Sequence, residues 1–499
     1  MFHKVLVANR GEIAVRIVRA LREMGICSVA VYSDVDRRAL HVRMADEAAH
    51  IGPAPSTESY LRIDRILDAA RKHGVDAIHP GYGFLSENAD FAAACEEAGI
   101  AFVGPPSSSI RLLGTKTDAR RLAIEVGVPV VPGTAAPVRT IEEAREAGRA
   151  IGYPVLLKAA AGGGGKGMRR TASDEEMTAA FRDASSEAGR AFANAAIYVE
   201  KLVEPARHIE IQVLGDRHGT MIHLGERECS IQRRHQKVIE EAPSPLMDDH
   251  PGLRSRMGEA ALKVARAAGY YNAGTAEFLV DGDGNFYFLE MNTRLQVEHP
   301  VTELTTGHDL VHTQLRLATG EPLGLRQEDV EWRGSAIECR IYAEDPDAGF
   351  LPSPGTVTQL GRPFGPGVRL DSGVYAGWTI PMEYDPLLAK LVVWARSRQE
   401  TIARMLRALD EYYVGGIKTN LAFFRQILDD GEFRAGRLHI GFIEEFSRRK
   451  APSDCPPGDE EAVAALVAVI HAGHSQSGAH GLSPSVSRWR NQGRERLLQ

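Results

Sequence analysis

The sequence predicts a multidomain protein, α/β at its N terminus and α+β beyond it, and three patterns predict this. Short apolar runs at 4–9, 27–33, 47–51 and 75–79 are separated by helical periodicity, as in Glu12 to Arg22, which indicates a parallel sheet. Two later runs, Thr275–Val280 and one starting at Phe286, are separated by a Gly/Asp/Asn turn and read as an antiparallel hairpin. At 499 residues the chain is long enough for several packed domains.

The hairpin is the most informative segment. Glu290-Met-Asn-Thr-Arg-Leu-Gln-Val-Glu-His299 follows the apolar Phe286-Tyr-Phe-Leu289, so a strand is expected to continue to His299. At period two it puts Glu290, Asn292, Arg294, Gln296 and Glu298 on one face, with Met291, Leu295 and Val297 toward a core. A four-residue turn, Gly282–Asn285, pairs Asp281 with Phe286 and so sets Glu277 opposite Glu290. Facing carboxylates repel by up to about 1 kcal/mol, a sign that a divalent cation reverses. Hard oxygen ligands beside a guanidinium fork suit Mg²⁺ and a small oxyanion. The competing reading is a solvated hairpin face with accidental acids.

Other segments add to this. His79-Pro-Gly-Tyr-Gly-Phe-Leu-Ser-Glu-Asn88 leaves one strand end, either as a ligand-approach loop or as a strand-to-helix turn capped by Ser86. Ala161-Gly-Gly-Gly-Gly-Lys-Gly-Met168 joins two short strands, Tyr153–Lys158 and Met168–Thr171. It lacks the Walker spacing, so a lid closing over phosphates is expected rather than a P-loop; a floppy hairpin is the alternative. Ala196–Val203 and Arg207–Val213 read as strands, the second with His208, Glu210 and Gln212 on one face. The basic run Gln232-Arg-Arg-His-Gln-Lys237 lacks interleaved aromatics and precedes Glu240 and Glu241, so an oxyanion pocket is expected there and not a nucleic-acid surface. Residues 251–269 read as one helix.

Bulk properties narrow the class. Net charge is −7, from 66 acidic and 59 basic residues, which argues against nucleic acid or an anionic membrane as main partner. The five cysteines form no C-x-x-C pair, so neither a disulfide framework nor a zinc site is suggested and a reducing cytoplasm fits. No apolar run reaches membrane-spanning length, and the first residues read as a strand rather than a signal peptide. Beyond Ser447, a Pro-rich linker, a short helix over 460–472 and a partly disordered polar tail are expected.

From residue 2 to about 446 the chain resembles the biotin carboxylase component of biotin-dependent carboxylases, in the ATP-grasp superfamily. The resemblance rests on Ala8-Asn-Arg-Gly-Glu-Ile-Ala14, His79 to Asn88, Gly162-Gly-Gly-Gly-Lys-Gly167, Arg207-His-Ile-Glu210, Gln232 to Lys237, Glu290 to Thr302 and Glu338-Cys-Arg340. It implies a Rossmann-like N-terminal domain at 1–114 and an ATP-grasp domain at 115–330, whose glycine-rich lid covers about 131–203. A C-terminal α+β domain at 331–446 and the 447–499 tail complete the division.

The resemblance further implies residue roles. Lys116, Lys158, Gly163, Gly164, Gly165 and Met168 meet ATP phosphates or close over them, while Glu200, Lys201 and Val203 lie near adenine. His208, Gln232 and His235 are nucleotide contacts, and Glu277, Glu290 and Asn292 hold Mg²⁺ (or Mn²⁺). Arg294, Gln296, the Val297 backbone and Lys237 hold bicarbonate; Glu298 deprotonates it, Arg340 stabilises the enolate-like ureido group, and Tyr82 lies beside biotin. The implied activity is ATP-dependent carboxylation of biotin through carboxyphosphate. No methionine precedes a lysine, so the biotin is expected on a separate carrier protein, with a separate carboxyltransferase. A homodimer through the Arg16 face is also implied. Acetyl-CoA is the expected acceptor of the whole assembly, with propionyl-CoA, another acyl-CoA or pyruvate as alternatives.

Three rival readings fare worse. Another ATP-grasp ligase of the carbamoyl-phosphate type shares lid and metal acids but not the Arg340 region. An inactive scaffold has no use for Glu298 and Lys237. A nicotinamide oxidoreductase fails for want of G-x-G-x-x-G after the first strand.

Overall fold

The computed structural model describes residues 1–134, 136–159, 168–192 and 196–450. Strands β1 (Lys4–Val7), β2 (Cys27–Ser33), β3 (Glu47–Gly52), β4 (Ala77–His79) and β5 (Ala101–Phe102) form a parallel sheet in the order β3-β2-β1-β4-β5. Helix Gly11–Glu23 packs Ile13, Ile17 and Leu21 with Val5 and Val7 in one apolar cluster. The sequence pattern therefore located this sheet correctly.

Strands β6 (Val155–Ala159), β7 (Arg169–Thr171) and β8 (Ile197–Lys201) form a small antiparallel sheet ordered β7-β6-β8. Helix Ile141–Ile151 starts in a Thr140/Glu143 capping box, and its Ala144 joins Leu157, Met177, Phe181 and Val199 in a separate cluster.

The largest sheet has eight strands. Five come from the middle of the chain: β9 (Arg207–Gly215), β10 (Met221–Arg233), β11 (Gln236–Ala242), β12 (Asn272–Val280) and β13 (Phe286–Asn292). Next come β14 (Ser335–Tyr342), the two-residue pair β15 (Glu344–Asp345) and β16 (Leu351–Pro352), and β17 (Gln359–Gly361). After these lie β18 (Val368–Ser372), β19 (Leu387–Ala395) and β20 (Tyr413–Gly415), the last paired with β17. The eight run β13-β12-β9-β10-β11-β14-β19-β18, antiparallel throughout. One face packs on helix Leu253–Ala267 through Ile209, Ile211, Phe278 and Phe288. Residues Met1–Glu445 share one compact unit.

Two expectations about the hairpin need correction. Near the turn Val280, not Asp281, pairs with Phe286. Asp281 belongs to the turn: its carboxylate accepts from the backbone N–H of Asp283 (3.0 Å) and Asn285 (2.9 Å). The register then shifts between Phe278 and Glu277, leaving Leu289 as a bulge, and Glu277 does face Glu290. The expected pairing stands because the longer turn and the bulge cancel.

The strand expected to run to His299 stops at Asn292. Helix His299–Thr306 begins immediately after Glu298, which is its N-cap residue, with Pro300 in the first turn. The His299 ring nitrogen Nδ1 lies 2.9 Å from the Gln296 carbonyl, folding the chain back before the helix. Single-file alternation therefore does not describe 293–298; Met291 and Leu295 are buried as expected, Val297 only partly.

The 79–88 loop is a strand-to-helix turn held by a clamp. Asn9 Nδ2 donates to the carbonyls of Pro80 (2.7 Å) and Tyr82 (2.8 Å). Gly81 and Gly83 take the positive φ that the turn requires. Asn88, rather than Ser86, caps helix Ala89–Glu97 by accepting from Phe91 N–H. The expected 460–472 helix and the tail from residue 451 lie outside the described residues.

Candidate active site

Lys237 is the hub of a buried charge cluster on β9, β11, β12 and the 293–298 turn. Its ammonium donates to Glu210 Oε2 (2.5 Å), Glu277 Oε1 (2.8 Å) and Glu298 Oε1 (2.8 Å). Arg340 Nη2, on β14, donates to the other oxygen of Glu298 at 2.8 Å and lies 2.6 Å from Glu240 Oε1. His208 Nε2 lies 3.0 Å from Glu277 Oε2. Gln296 Nε2 donates to Glu277 Oε1 at 3.2 Å.

Electrostatics follow from this geometry. Burial alone would raise the Glu298 carboxyl, but Lys237, Arg340 and Arg227 outweigh it and hold the group well below the usual carboxylate range. Burial is likewise outweighed at Glu277, by Lys237 and His208, which keep it well below normal. Desolvation would lower Lys237, yet Glu210, Glu277 and Glu298 hold its ammonium well above the ordinary value. Glu240 behaves oppositely: burial pushes it up to about 7 despite Arg340. Glu338 faces Glu240 across the β11–β14 ladder and is also pushed well up, chiefly by burial.

Arg294 is the anchor of the neighbouring turn. It donates to Glu87 Oε2 (2.8 Å), Gln296 Oε1 (2.8 Å) and Asn292 Oδ1 (3.0 Å). This cross-link ties the 79–88 loop to the end of β13.

A second group lies along the small sheet and the hairpin. Lys116 Nζ is 3.0 Å from Glu290 Oε2, Lys158 Nζ donates to Glu200 Oε2 at 2.5 Å, and Arg120 Nη1 stands 3.8 Å from Glu200 Oε1. Lys201 donates to the carbonyls of Gly152 (2.8 Å) and Tyr153 (3.2 Å). Met168 and Val203 are half-buried at the ends of β7 and β8. Gly163, Gly164 and Gly165 lie outside the described residues.

The basic run 232–237 does not form one pocket. Gln232 is buried and donates to the Cys229 carbonyl at 2.9 Å, and Arg233 pairs with Glu344 at 2.9 Å. Arg234 and His235 form an exposed turn with φ of 50° and 68°. Only Lys237 reaches the acid cluster, because strand alternation and that turn scatter the others.

Glu277, Glu290 and Asn292 supply hard oxygens from paired strands, a donor set that fits Mg²⁺. Asn292 Nδ2 is buried without a hydrogen-bond partner among the described residues, and its Oδ1 already faces Arg294.

Residues given no role by the sequence complete the cluster. Arg227, fully buried, binds Glu210 and donates to Gln212 Oε1 (2.7 Å), Thr302 Oγ1 (3.0 Å) and Thr275 Oγ1 (3.0 Å). The His208/Glu210/Gln212 alternation was the available signal for Glu210. Lys237→Met leaves three buried carboxylates short of a cation; we expect a loss of about 3–5 kcal/mol, read by chemical denaturation.

Fold and site together define an ATP-dependent ligase of the ATP-grasp type. Residues 1–110 match the biotin carboxylase N-terminal domain, 115–326 the carbamoyl-phosphate synthase L chain ATP-binding domain, and 338–445 the biotin carboxylase C-terminal domain. The chain is 55% identical to a pyruvate carboxylase subunit of Methanothermobacter thermautotrophicus, covering 90% of this chain and 91% of that one. It is 52% identical to biotin carboxylase 1 of Bacillus subtilis, covering 89% and 99%. Among solved structures, the biotin carboxylase domain dimer of Hydrogenobacter thermophilus 2-oxoglutarate carboxylase, in complex with MgADP, ADP and bicarbonate, superposes with a TM-score of 0.84 at 48% identity, covering 91% of this chain and 100% of that one. The Campylobacter jejuni biotin carboxylase–β,γ-ATP complex does so with 0.84 at 45% identity, covering 89% and 99%. The chain belongs to the biotin carboxylase family.

Proposed function

We propose that this chain uses ATP and bicarbonate to carboxylate biotin presented by a carrier protein outside this sequence, with carboxyphosphate as intermediate. The observation that carries the reading is Glu298, buried with one carboxylate oxygen on Lys237 and the other on Arg340. Arg294, Gln296 and the Val297 backbone orient bicarbonate beside it. Glu298 takes the bicarbonate proton, and the freed oxygen attacks the γ-phosphorus as its bond to ADP breaks. Lys237 turns toward the transferring phosphoryl group and neutralises charge there. As it leaves Glu298, that carboxylate loses one of the cations that hold it low and becomes a stronger base.

Mg²⁺ (or Mn²⁺), held by Glu277, Glu290 and Asn292, supplies neutralisation of phosphate charge when bound. Lys116 and Lys158 bind phosphate oxygens, with Met168 beside them. Glu200, Lys201, Val203, His208, Gln232 and His235 hold the nucleoside. Carboxyphosphate splits its C–O bond into CO₂ and phosphate, and phosphate takes the ureido N–H proton. Arg340 stabilises the resulting charge on the ureido oxygen, Tyr82 packs beside the ring, and the nitrogen adds to CO₂.

The reading divides the chain at 1–114, 115–330, 331–446 and 447–499. It places the chain as a homodimer in the cytoplasm. The carboxyl group then passes, on a separate carboxyltransferase, to an acyl-CoA, with acetyl-CoA as our preferred acceptor. Pyruvate is the second reading, favoured by the 55% identity to a pyruvate carboxylase subunit. ADP release that depends on bicarbonate and rises with free biotin tests the half-reaction; release indifferent to both refutes it. Co-purification with a biotinylated partner and assay of its acceptor separates the two readings.

A further inference from the structure

The Ala8–Ala14 signature, left without a role in the reaction, meets Lys390 of β19 beside the Glu298 turn. Lys390 on β19 is fully buried, and its Nζ donates to the carbonyl of Val297 at 2.8 Å. Glu12 Oε2, from the first turn of helix Gly11–Glu23, lies 3.5 Å from the same nitrogen, and Asp371 Oδ2 on β18 lies 4.0 Å away. Glu12 is itself buried, and the Lys390 ammonium is the cation that its carboxylate meets among the described residues. The approach of β18 to that helix is close: a side-chain carbon at Gly373 would fall 2.8 Å from the Glu12 backbone nitrogen.

The register puts Lys390 directly opposite Arg340 on the β14–β19 ladder. Two cations side by side flank Glu298 from below: Arg340 holds its carboxylate, and Lys390 holds the carbonyl of the peptide that precedes it. The same ammonium lies 5.6 Å from the ring centroid of Tyr82, whose backbone carbonyl Asn9 clamps. Burying an ammonium is expensive, and an apolar side chain packs a central strand at no such cost. Its one strong hydrogen bond goes to the residue before the candidate base.

We propose that Lys390 is a positioning residue, held by Glu12, that fixes the 297–298 peptide and thereby the place of Glu298 and of the bicarbonate beside it. The proposal rests on the reaction assigned above. Pinning the Val297 carbonyl fixes the backbone rotation that leads into the helix N-cap, so loss of the ammonium lets Glu298 drift without removing any phosphate contact. Displacements of about 1 Å at a reacting group cost up to about 100-fold in rate.

The test compares the full chain with Lys390→Met and Glu12→Gln, following ADP release against bicarbonate and against MgATP, with melting temperature alongside. Lys390→Met is expected to lower kcat/KM for bicarbonate about 10- to 100-fold while the KM for MgATP stays near that of the parent. Glu12→Gln, which keeps the lysine but loosens it, shifts the same parameter in the same direction by less. If Lys390→Met does not fold, Glu12→Gln decides alone. A folded variant with the parent's bicarbonate parameters, or with ATP and bicarbonate parameters reduced together, overturns the positioning role. A parent chain whose ADP release ignores bicarbonate overturns the reaction itself, a distinct failure visible before any variant is made.

Discussion

Glu298→Gln is expected to reduce bicarbonate-dependent ADP release by about 100- to 10,000-fold, the range of a lost general base, while MgATP affinity changes little. The substitution keeps the volume and one acceptor oxygen but turns an amide N–H2 toward either Lys237 or Arg340, so the melting temperature is followed alongside. Equal loss of ATP binding and turnover would remove Glu298 from its role as base. The pH dependence carries a sign. Lys237 and Arg340 hold the carboxyl well below its unfolded value of about 4.3, so the ion pairs stabilise the fold fully above that value. That contribution disappears only as pH falls through the lower folded value. A decline between pH 7 and 5 in kcat/KM, which reports the free enzyme with Lys237 still on Glu298, therefore arises elsewhere than at Glu298. In the Gln variant the same decline should persist in the residual rate.

Arg340→Ala should lower biotin carboxylation by about 100-fold or more while bicarbonate-dependent ATP cleavage falls much less. Comparing ADP release with carboxybiotin formation checks this, and parallel loss would mean that Arg340 acts only by holding Glu298. Stability should also fall, by up to about 3–5 kcal/mol, because Glu240 and Glu298 lose a shared buried cation. Glu240 moderates that loss by taking a proton. Buried, it is pushed up to about 7, above its unfolded value, so its protonated form favours the folded state. In the parent that contribution is complete below about 4.3 and is lost as pH rises through about 7; without Arg340, which lowers the group, it persists to higher pH. Denaturation at pH 6 and pH 8 should therefore find the variant less impaired at pH 6.

The N-terminal parallel sheet was legible because its inner strands are almost wholly buried and alternate with amphipathic helices, a local pattern. The Glu277–Glu290 pairing was legible too, although the turn was misjudged by one residue and the Leu289 bulge restored the register. The continuation to His299 was misread: alternating residue types imitate a strand, whereas Pro300 and the Gln296 carbonyl start a helix. The arginine-rich run at 232–237 misled in the same way, since composition does not say which side chains a tight turn throws outward. Lys390 was invisible as a site residue because its partners, Glu12 and Val297, are distant in sequence and meet only through the tertiary fold. Arg227 shares that fate: only the assembled sheet sets its guanidinium beside Glu210.

The eight-stranded sheet runs without interruption from β11 into β14, across the gap between the regions matched by the central and C-terminal family models. Modules that look separable on paper therefore share one ladder. Cutting the polypeptide there would strip β11 of its neighbour and bare a row of unmet amides and carbonyls, an invitation to aggregation. It would also carry away Arg340 and Lys390, so neither fragment would inherit a working centre. Shuffling or trimming of this protein should respect that seam as though the two halves were a single casting.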